Sequence, residues 1–176
     1  MTQDDDIAPV LNWVHDLHTI GERGVDASRS ATPKERDLLA RQLDLAECQR
    51  VDVSYNLKPL SRGRIRLKAR IDADLVQRCV ISLAPVPAHI DLPIELEFWP
   101  AEDIGDTTVE VDPMGPPPPE PLRHGAVDFG RVVYEEIAAA LDPYPRAPGA
   151  ELAPPSPEEE AATKPFAALA RLKRPE

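Results

Sequence analysis

The sequence predicts an α+β fold: a curved antiparallel sheet, with a partial barrel as its more closed form, and helices packed on it near residues 32–47 and 128–141. Two observations carry this. Apolar residues alternate with polar ones from Val51 to Ile71, broken only by a turn-like Ser61-Arg62-Gly63. Helical spacing of apolar residues appears on both sides of that stretch. Consecutive hairpin strands between helices make an antiparallel α+β domain rather than a parallel α/β one.

At the N-terminus, Val10 to Leu17 mixes apolar and polar residues and fits a strand or a short helix. Thr32-Pro33-Lys34-Glu35 is a helix start. The Thr32 hydroxyl can accept from the amide three residues on, and Glu35 can reach back to the cap amide. Proline at the first helical position loses no needed donor. Leu39, Leu43 and Ala46, widened by Leu38 and Leu45, extend the apolar stripe to about Glu47.

The period then falls to two. Val51, Val53, Tyr55 and Leu57 form one half-buried strand, and Ile65, Leu67, Ala69 and Ile71 its hairpin partner. Val76 to Leu83 reads as a third strand, Ile94 to Phe98 as a fourth and Thr107 to Val111 as a short fifth. Pro85 and Pro87 mark a turn or an edge strand, because proline cannot donate to a ladder. Asp128 is a candidate cap for a helix burying Phe129, Val132, Val133, Ile137, Ala140 and Leu141, stopped by Pro143 and Pro145.

The 21 prolines are far above an average near 5% and crowd into residues 113–121 and 143–165. Residues 9–145 are therefore expected to form one domain carrying a Pro-rich loop at 112–124, and residues 146–176 a flexible tail. The acidic start Met1-Thr2-Gln3-Asp4-Asp5-Asp6 has no apolar run after it, and no stretch reaches the roughly 20 apolar residues of a membrane span. Cys48 and Cys79 have no CxxC spacing and read as reduced thiols, Cys79 as a buried apolar residue of the third strand. A cytoplasmic protein without a membrane partner is expected.

No Gly-rich phosphate loop, nucleophile elbow or triad is visible, so enzymatic chemistry, a cofactor and a small-molecule substrate are not expected. His15 and His18 lack further ligands for a metal, and Glu135 and Glu136 would diverge on a helix. Charge is the more informative signal. The net charge of −11 argues against a general nucleic-acid binder, but its distribution is uneven. Residues 50–70 hold seven cations against Asp52, whereas residues 91–120 hold acids and no lysine or arginine, which suggests a polarised molecule.

Arg62, Arg64, Arg66, Lys68 and Arg70 fall at every second residue. On a strand they form a row about 6.6 Å apart, from a rise of roughly 3.3 Å per residue. That is close to phosphate spacing, and arginine grips phosphate bidentately, so this row is the candidate RNA-backbone contact. The competing reading is a solvated sheet face whose cations pair across strands with Glu95 and Glu97. The absence of interleaved aromatics argues against a base-stacking platform.

Near the C-terminus, Phe166, Leu169 and Leu172 are three residues apart, with Arg171, Lys173 and Arg174 beside them. A short amphipathic element after an acidic, Pro-rich stretch is a candidate partner-docking segment, here Phe166, Leu169, Leu172 and Lys173. Packing back onto its own domain is the alternative.

Three stretches together resemble the YceD family of large ribosomal RNA subunit accumulation proteins, in its alphaproteobacterial-type branch. They are Leu75-Val76-Gln77-Arg78-Cys79-Val80-Ile81-Ser82-Leu83, then Val127-Asp128-Phe129 through Leu141 ending in Asp142-Pro143-Tyr144-Pro145, and Pro165-Phe166-Ala167-Ala168-Leu169-Ala170-Arg171-Leu172-Lys173. The resemblance implies a non-enzymatic role in ribosome assembly. The implied partners are large-subunit rRNA, a basic ribosomal or assembly protein, or both. An acidic adaptor or chaperone that shields a basic ribosomal protein, without touching RNA, is the other reading. Many relatives carry CxxC where this chain has Cys79 and Ser82, so their suggested metal site is not carried over. Lys164 stands where the terminal signature has asparagine.

Overall fold

The computed structural model describes residues 10–104, 115 and 118–152. The expected fifth strand at 107–111, part of the Pro-rich loop and the candidate docking residues Phe166, Leu169, Leu172 and Lys173 lie outside them.

The centre of the fold is a five-stranded sheet in the order β2-β3-β4-β5-β6. Its members are β2 (Val25–Ser30), β3 (Glu47–Pro59), β4 (Ile65–Arg78), β5 (Pro85–Trp99) and β6 (Glu120–Pro121). The first four run antiparallel, in register from Val25↔Leu57 and Val53↔Ile71 to Leu67↔Leu96. The short β6 instead lies parallel to β5, pairing Phe98 with Glu120 and Trp99 with Pro121. The sheet is therefore open and mixed, not purely antiparallel. A small second sheet joins β1 (Val14–Asp16) to β7 (Ala126–Asp128). Two helices, α1 (Pro33–Gln42) and α2 (Phe129–Ala140), complete the α+β fold.

Alternation dictates which face is buried. Val51, Val53, Tyr55 and Leu57 of β3, and Ile65, Leu67, Ala69, Ile71, Ala73 and Leu75 of β4, all point inward. Leu11, Trp13 and Leu39 pack into that core, as do Phe129, Val132, Val133 and Ile137 from α2. Ala140, expected on the buried face of α2, is exposed.

The Thr32 capping box forms as the sequence predicts. Thr32 Oγ1 accepts from the Glu35 amide at 3.3 Å, and Glu35 accepts from the Thr32 amide at 2.8 Å. The buried Trp13 indole also donates to Glu35, at 2.9 Å, so the cap ties the first turn of α1 to the core. Burial would raise the Glu35 carboxyl, but the bonds from Thr32 and Trp13 outweigh it and hold it below its ordinary range.

The helix is shorter than the expected 32–47. It is capped at Leu43, Asp44 takes a left-handed φ of 50°, and the Ala46 amide bonds Val76 O at 2.7 Å in the sheet. Leu45 is buried by this turn, not by the helix, which explains why it extended the apparent stripe.

The larger correction concerns Val76 to Leu83. Val76, Gln77 and Arg78 are the end of β4, and residues 79–84 form a turn, not a third strand. The Cys79 sulfur accepts from the amides of Ile81 and Ser82 at 3.4 and 3.3 Å, and the Leu83 amide bonds Cys79 O at 3.0 Å. Those amides are thereby withdrawn from any ladder. The fourth strand is correspondingly longer and begins at Pro85, so Pro85, Pro87 and Pro93 all lie in β5. Among the described residues, β5 has no neighbour on that flank beyond its two-residue contact with β6, and proline costs no ladder bond there.

One close approach fixes how α2 sits. A Cβ on Gly130 would lie 2.2 Å from Leu11 O and 2.9 Å from Trp13 N, both backbone atoms. Gly130→Ala must push α2 off the N-terminal segment. The expected loss is about 1–3 kcal/mol, typical of overpacking. Urea unfolding of the variant beside wild type checks this, and an unchanged midpoint would contradict the packing described.

Candidate functional site

The solvent face of the sheet carries the row of cations. Ile65, Leu67, Ala69 and Ile71 point inward, so Arg66, Lys68 and Arg70 must point outward, in line along β4. Arg64 stands just before the strand, and Arg62 sits in the turn between β3 and β4 with a left-handed φ of 62°.

Carboxylates of β5 meet the row, Glu97 and Glu95 directly opposite Arg66 and Lys68, and Asp91 diagonally to Arg70, which faces Pro93. Arg66 donates to Glu97 at 2.8 and 3.2 Å, Lys68 lies 3.1 Å from Glu95, and Arg70 pairs with Asp91. The basic and acidic stretches therefore interleave on one face, and the molecule is not polarised between them. Arg64 behaves differently. Its guanidinium stacks 3.7 Å over the Trp99 ring, with Asp103 4.0 Å from Nε. That Nε is buried without a hydrogen-bond partner, so the ring and the nearby carboxylate meet its charge. Among the described residues, Arg62 and Lys58 have no ion-pair partner, and both lie at the hairpin end.

Farther along the same face, Arg50 bonds Asp52, Asp72 and Asp74 at once. Its pKa rises, chiefly through the bond to Asp52. Asp72, Asp74 and His89 bring ligand-type atoms within 4.8 Å of one another, but Arg50 already neutralises the two carboxylates and His89 Nδ1 sits 2.8 Å from Asp74. Sequence spacing could not reveal this group, because it forms across three strands. An open groove of about 650 Å³ runs beside Trp99, between Arg66, Glu95 and Glu97 on one side and Pro118 and Pro119 on the other.

The two N-terminal histidines do not meet as a site. His15 stacks on Phe129 and shares a 2.6 Å hydrogen bond with the Tyr55 hydroxyl, while His18 is exposed. Burial, and then Arg29, lower the His15 pKa.

The β4–β5 turn is the feature that sequence reading placed wrongly. Cys79 is fully buried, as expected, but its sulfur is an acceptor hub. The Ala147 amide, beyond α2, is the largest cause that brings its pKa down to about 6, followed by Ser82 and Ile81. The Val80 amide bonds Pro145 O at 2.9 Å, and Gln77 Nε2 bonds Asp142 O at 2.8 Å. The turn and the segment after α2 are thus stitched into one unit. Burial pushes Cys48 the other way, up to about 11.

The family model for the large ribosomal RNA subunit accumulation protein YceD matches residues 67–173, which takes in most of β4, the Cys79 turn, α2 and the C-terminal segment. The chain belongs to the YceD family. That family is named for ribosomal RNA accumulation and is not a known enzyme family. No curated protein and no solved structure matches the chain. Among the described residues, no helix is long and apolar enough to cross a membrane.

The Cys79 environment has a measurable consequence. A thiol whose pKa falls from 9.0 unfolded to about 6 folded adds stability that is fully present above 9.0 and lost as pH drops through 6. Wild type should therefore gain stability relative to Cys79→Ala as pH rises from 6 to 9. Melting temperatures across that window check it, with thiolate ultraviolet absorbance of the folded protein as the second readout. A constant difference between the two proteins would show that Cys79 stays a neutral thiol.

Proposed function

We propose that this YceD-family chain supports accumulation of large-subunit ribosomal RNA as a non-enzymatic assembly factor that touches rRNA backbone through Arg62, Arg64, Arg66, Lys68 and Arg70. The observation that carries the reading is family membership over residues 67–173. In this reading contact begins at the hairpin end, and one feature of the charge arrangement supports that. Lys58 and Arg62 at the hairpin end face no carboxylate among the described residues, so phosphate meets them first. Arg66, Lys68 and Arg70 are each paired, but exposed ion pairs contribute little in water, and a phosphate can take the carboxylate's place at small cost. The segment Phe166, Leu169, Leu172 and Lys173 serves as a docking element of the same factor.

A second reading is favoured by one observation: β5 presents Asp91, Glu95 and Glu97 in a row. A cationic partner could displace Arg66, Lys68 and Arg70 from these acids as readily as phosphate could displace the acids. The chain would then act as an acidic adaptor for a basic ribosomal protein. Cytoplasmic residence follows from either reading.

A salt titration of binding to large-subunit rRNA fragments decides between them. Arg62→Gln/Arg66→Gln/Arg70→Gln is the suitable variant, since it removes the hairpin-end Arg62 and keeps Arg64 on Trp99, whereas glutamate would set new repulsion against Glu97 and Asp91. The rRNA reading expects a log–log slope of several units in wild type. In the variant the slope should fall by about 0.7–0.9 for each phosphate that is no longer neutralised. Absence of binding by wild type at low salt, with a basic protein retained after nuclease treatment, would replace this reading by the adaptor.

A further inference from the structure

The β4–β5 turn presents an apolar surface that the described fold does not cover. Leu83 is 73% exposed, and its φ is +59°, a left-handed conformation that glycine takes freely and leucine does not. A glycine there would relieve the backbone, and a polar side chain would suit the solvent, yet the chain carries leucine. Val80, in the same turn, is 48% exposed. Tyr144, 71% exposed, sits between Asp142 and Pro145, the two residues bonded to Gln77 and Val80. Those two hydrogen bonds hold the turn and the segment that carries Tyr144 side by side. Of the large apolar residues exposed among the described ones, only Val14 lies outside residues 79–84 and 142–152.

We propose that this surface is the seat of the chain's own C-terminal segment, with Phe166, Leu169 and Leu172 covering Val80, Leu83 and Tyr144. The inference takes the alternative reading of that segment, packing back onto its own domain, and names where it packs. The chain itself leads there: the described residues end at Leu152, just past Pro145, whose carbonyl accepts from the Val80 amide at 2.9 Å. Residues 153–164 can span on the order of 40 Å at roughly 3.3–3.6 Å each, enough to bring the segment back to the turn. A segment on so short a connection is present at an effective concentration in the millimolar range. The chemistry matches, since three apolar residues at three-residue spacing meet three exposed apolar residues. Arg171, Lys173 and Arg174 find acids near the same end in Asp142, exposed beside Tyr144, and Glu136 of α2. The family match, from Leu67 to Lys173, includes both the turn and the segment.

The test uses the full chain at low concentration. Trypsin cleavage after Arg171 and Lys173 should be several-fold slower in wild type than in Leu83→Asp or in Phe166→Asp/Leu169→Asp. The NMR signals of Val80, Leu83 and Tyr144 should move in the Phe166→Asp/Leu169→Asp variant, which leaves the described domain unaltered and decides the matter if Leu83→Asp misfolds. A synthetic peptide of residues 164–174 added to that variant should restore the signals. Equal cleavage rates with unmoved signals would overturn the proposal. Protection that appears only as protein concentration rises, with a dimer in sedimentation, would overturn it in favour of a second copy's segment. A variant that frees the segment while keeping rRNA affinity unchanged supports the seat and leaves the basic row standing. An undocked segment in a wild-type protein that still needs it to hold a ribosomal protein sinks the seat alone.

Discussion

Everything on the solvent side of this molecule depends on charge register between β4 and β5. A strand paired on both sides along most of its length has neighbours about 4.5–5.5 Å away on each flank, and like charges at that distance oppose pairing. β4 carries Arg66, Lys68 and Arg70 outward, and β3 sets Lys58 directly opposite Arg66. The opposing charge comes from the other flank, where β5 supplies Glu97, Glu95 and Asp91. At the far end the pattern inverts. Asp72 faces both Asp52 and Asp91, and Arg50 reaches across the carboxylates of Asp52, Asp72 and Asp74. The face is thus cationic toward the hairpin and anionic toward the Cys79 turn, with compensation within each region.

Much of this was legible residue by residue. Thr32-Pro33-Lys34-Glu35 states a helix start in its own chemistry, and the structure forms each bond it implies. The period-two runs at 51–57 and 65–71 needed no tertiary information, because one residue of slip would have buried a row of arginines. The strand β2 was not legible. Val25-Asp26-Ala27-Ser28-Arg29-Ser30 alternates only weakly, and its pairing with β3 depends on contacts far away in sequence. The parallel β6 has two residues and no pattern of its own.

The Cys79 turn shows a different kind of failure. Val76 to Leu83 is apolar enough to read as a strand, and hydrophobic pattern alone cannot separate a ladder from a turn whose amides are satisfied by a side chain. What ends β4 is the sulfur of Cys79, which takes the Ile81 and Ser82 amides. The carbonyl of Pro145, from beyond α2, takes the Val80 amide of the same turn, so the stop is partly tertiary and invisible to local reading.

The same register bears on how such a face meets a polyanion. A phosphate chain laid along β4 meets each cation already engaged, so binding is an exchange of one anion for another, and the net gain per phosphate is the difference between two exposed ion pairs. Such differences are small and salt-sensitive. Under the proposed rRNA reading, affinity comes from the hairpin end, where Arg62 has no ion-pair partner among the described residues and the Arg64 guanidinium stacks 3.7 Å over Trp99. Arg64 is the less available of the two, since its stacking and partial burial are already part of the fold. A basic protein approaching the β5 carboxylates meets the mirror image of the same exchange. The sheet face by itself therefore discriminates weakly between an anionic and a cationic partner, and the choice falls to the cations at the hairpin end and the acids around the Cys79 turn, which lie at opposite ends of β4.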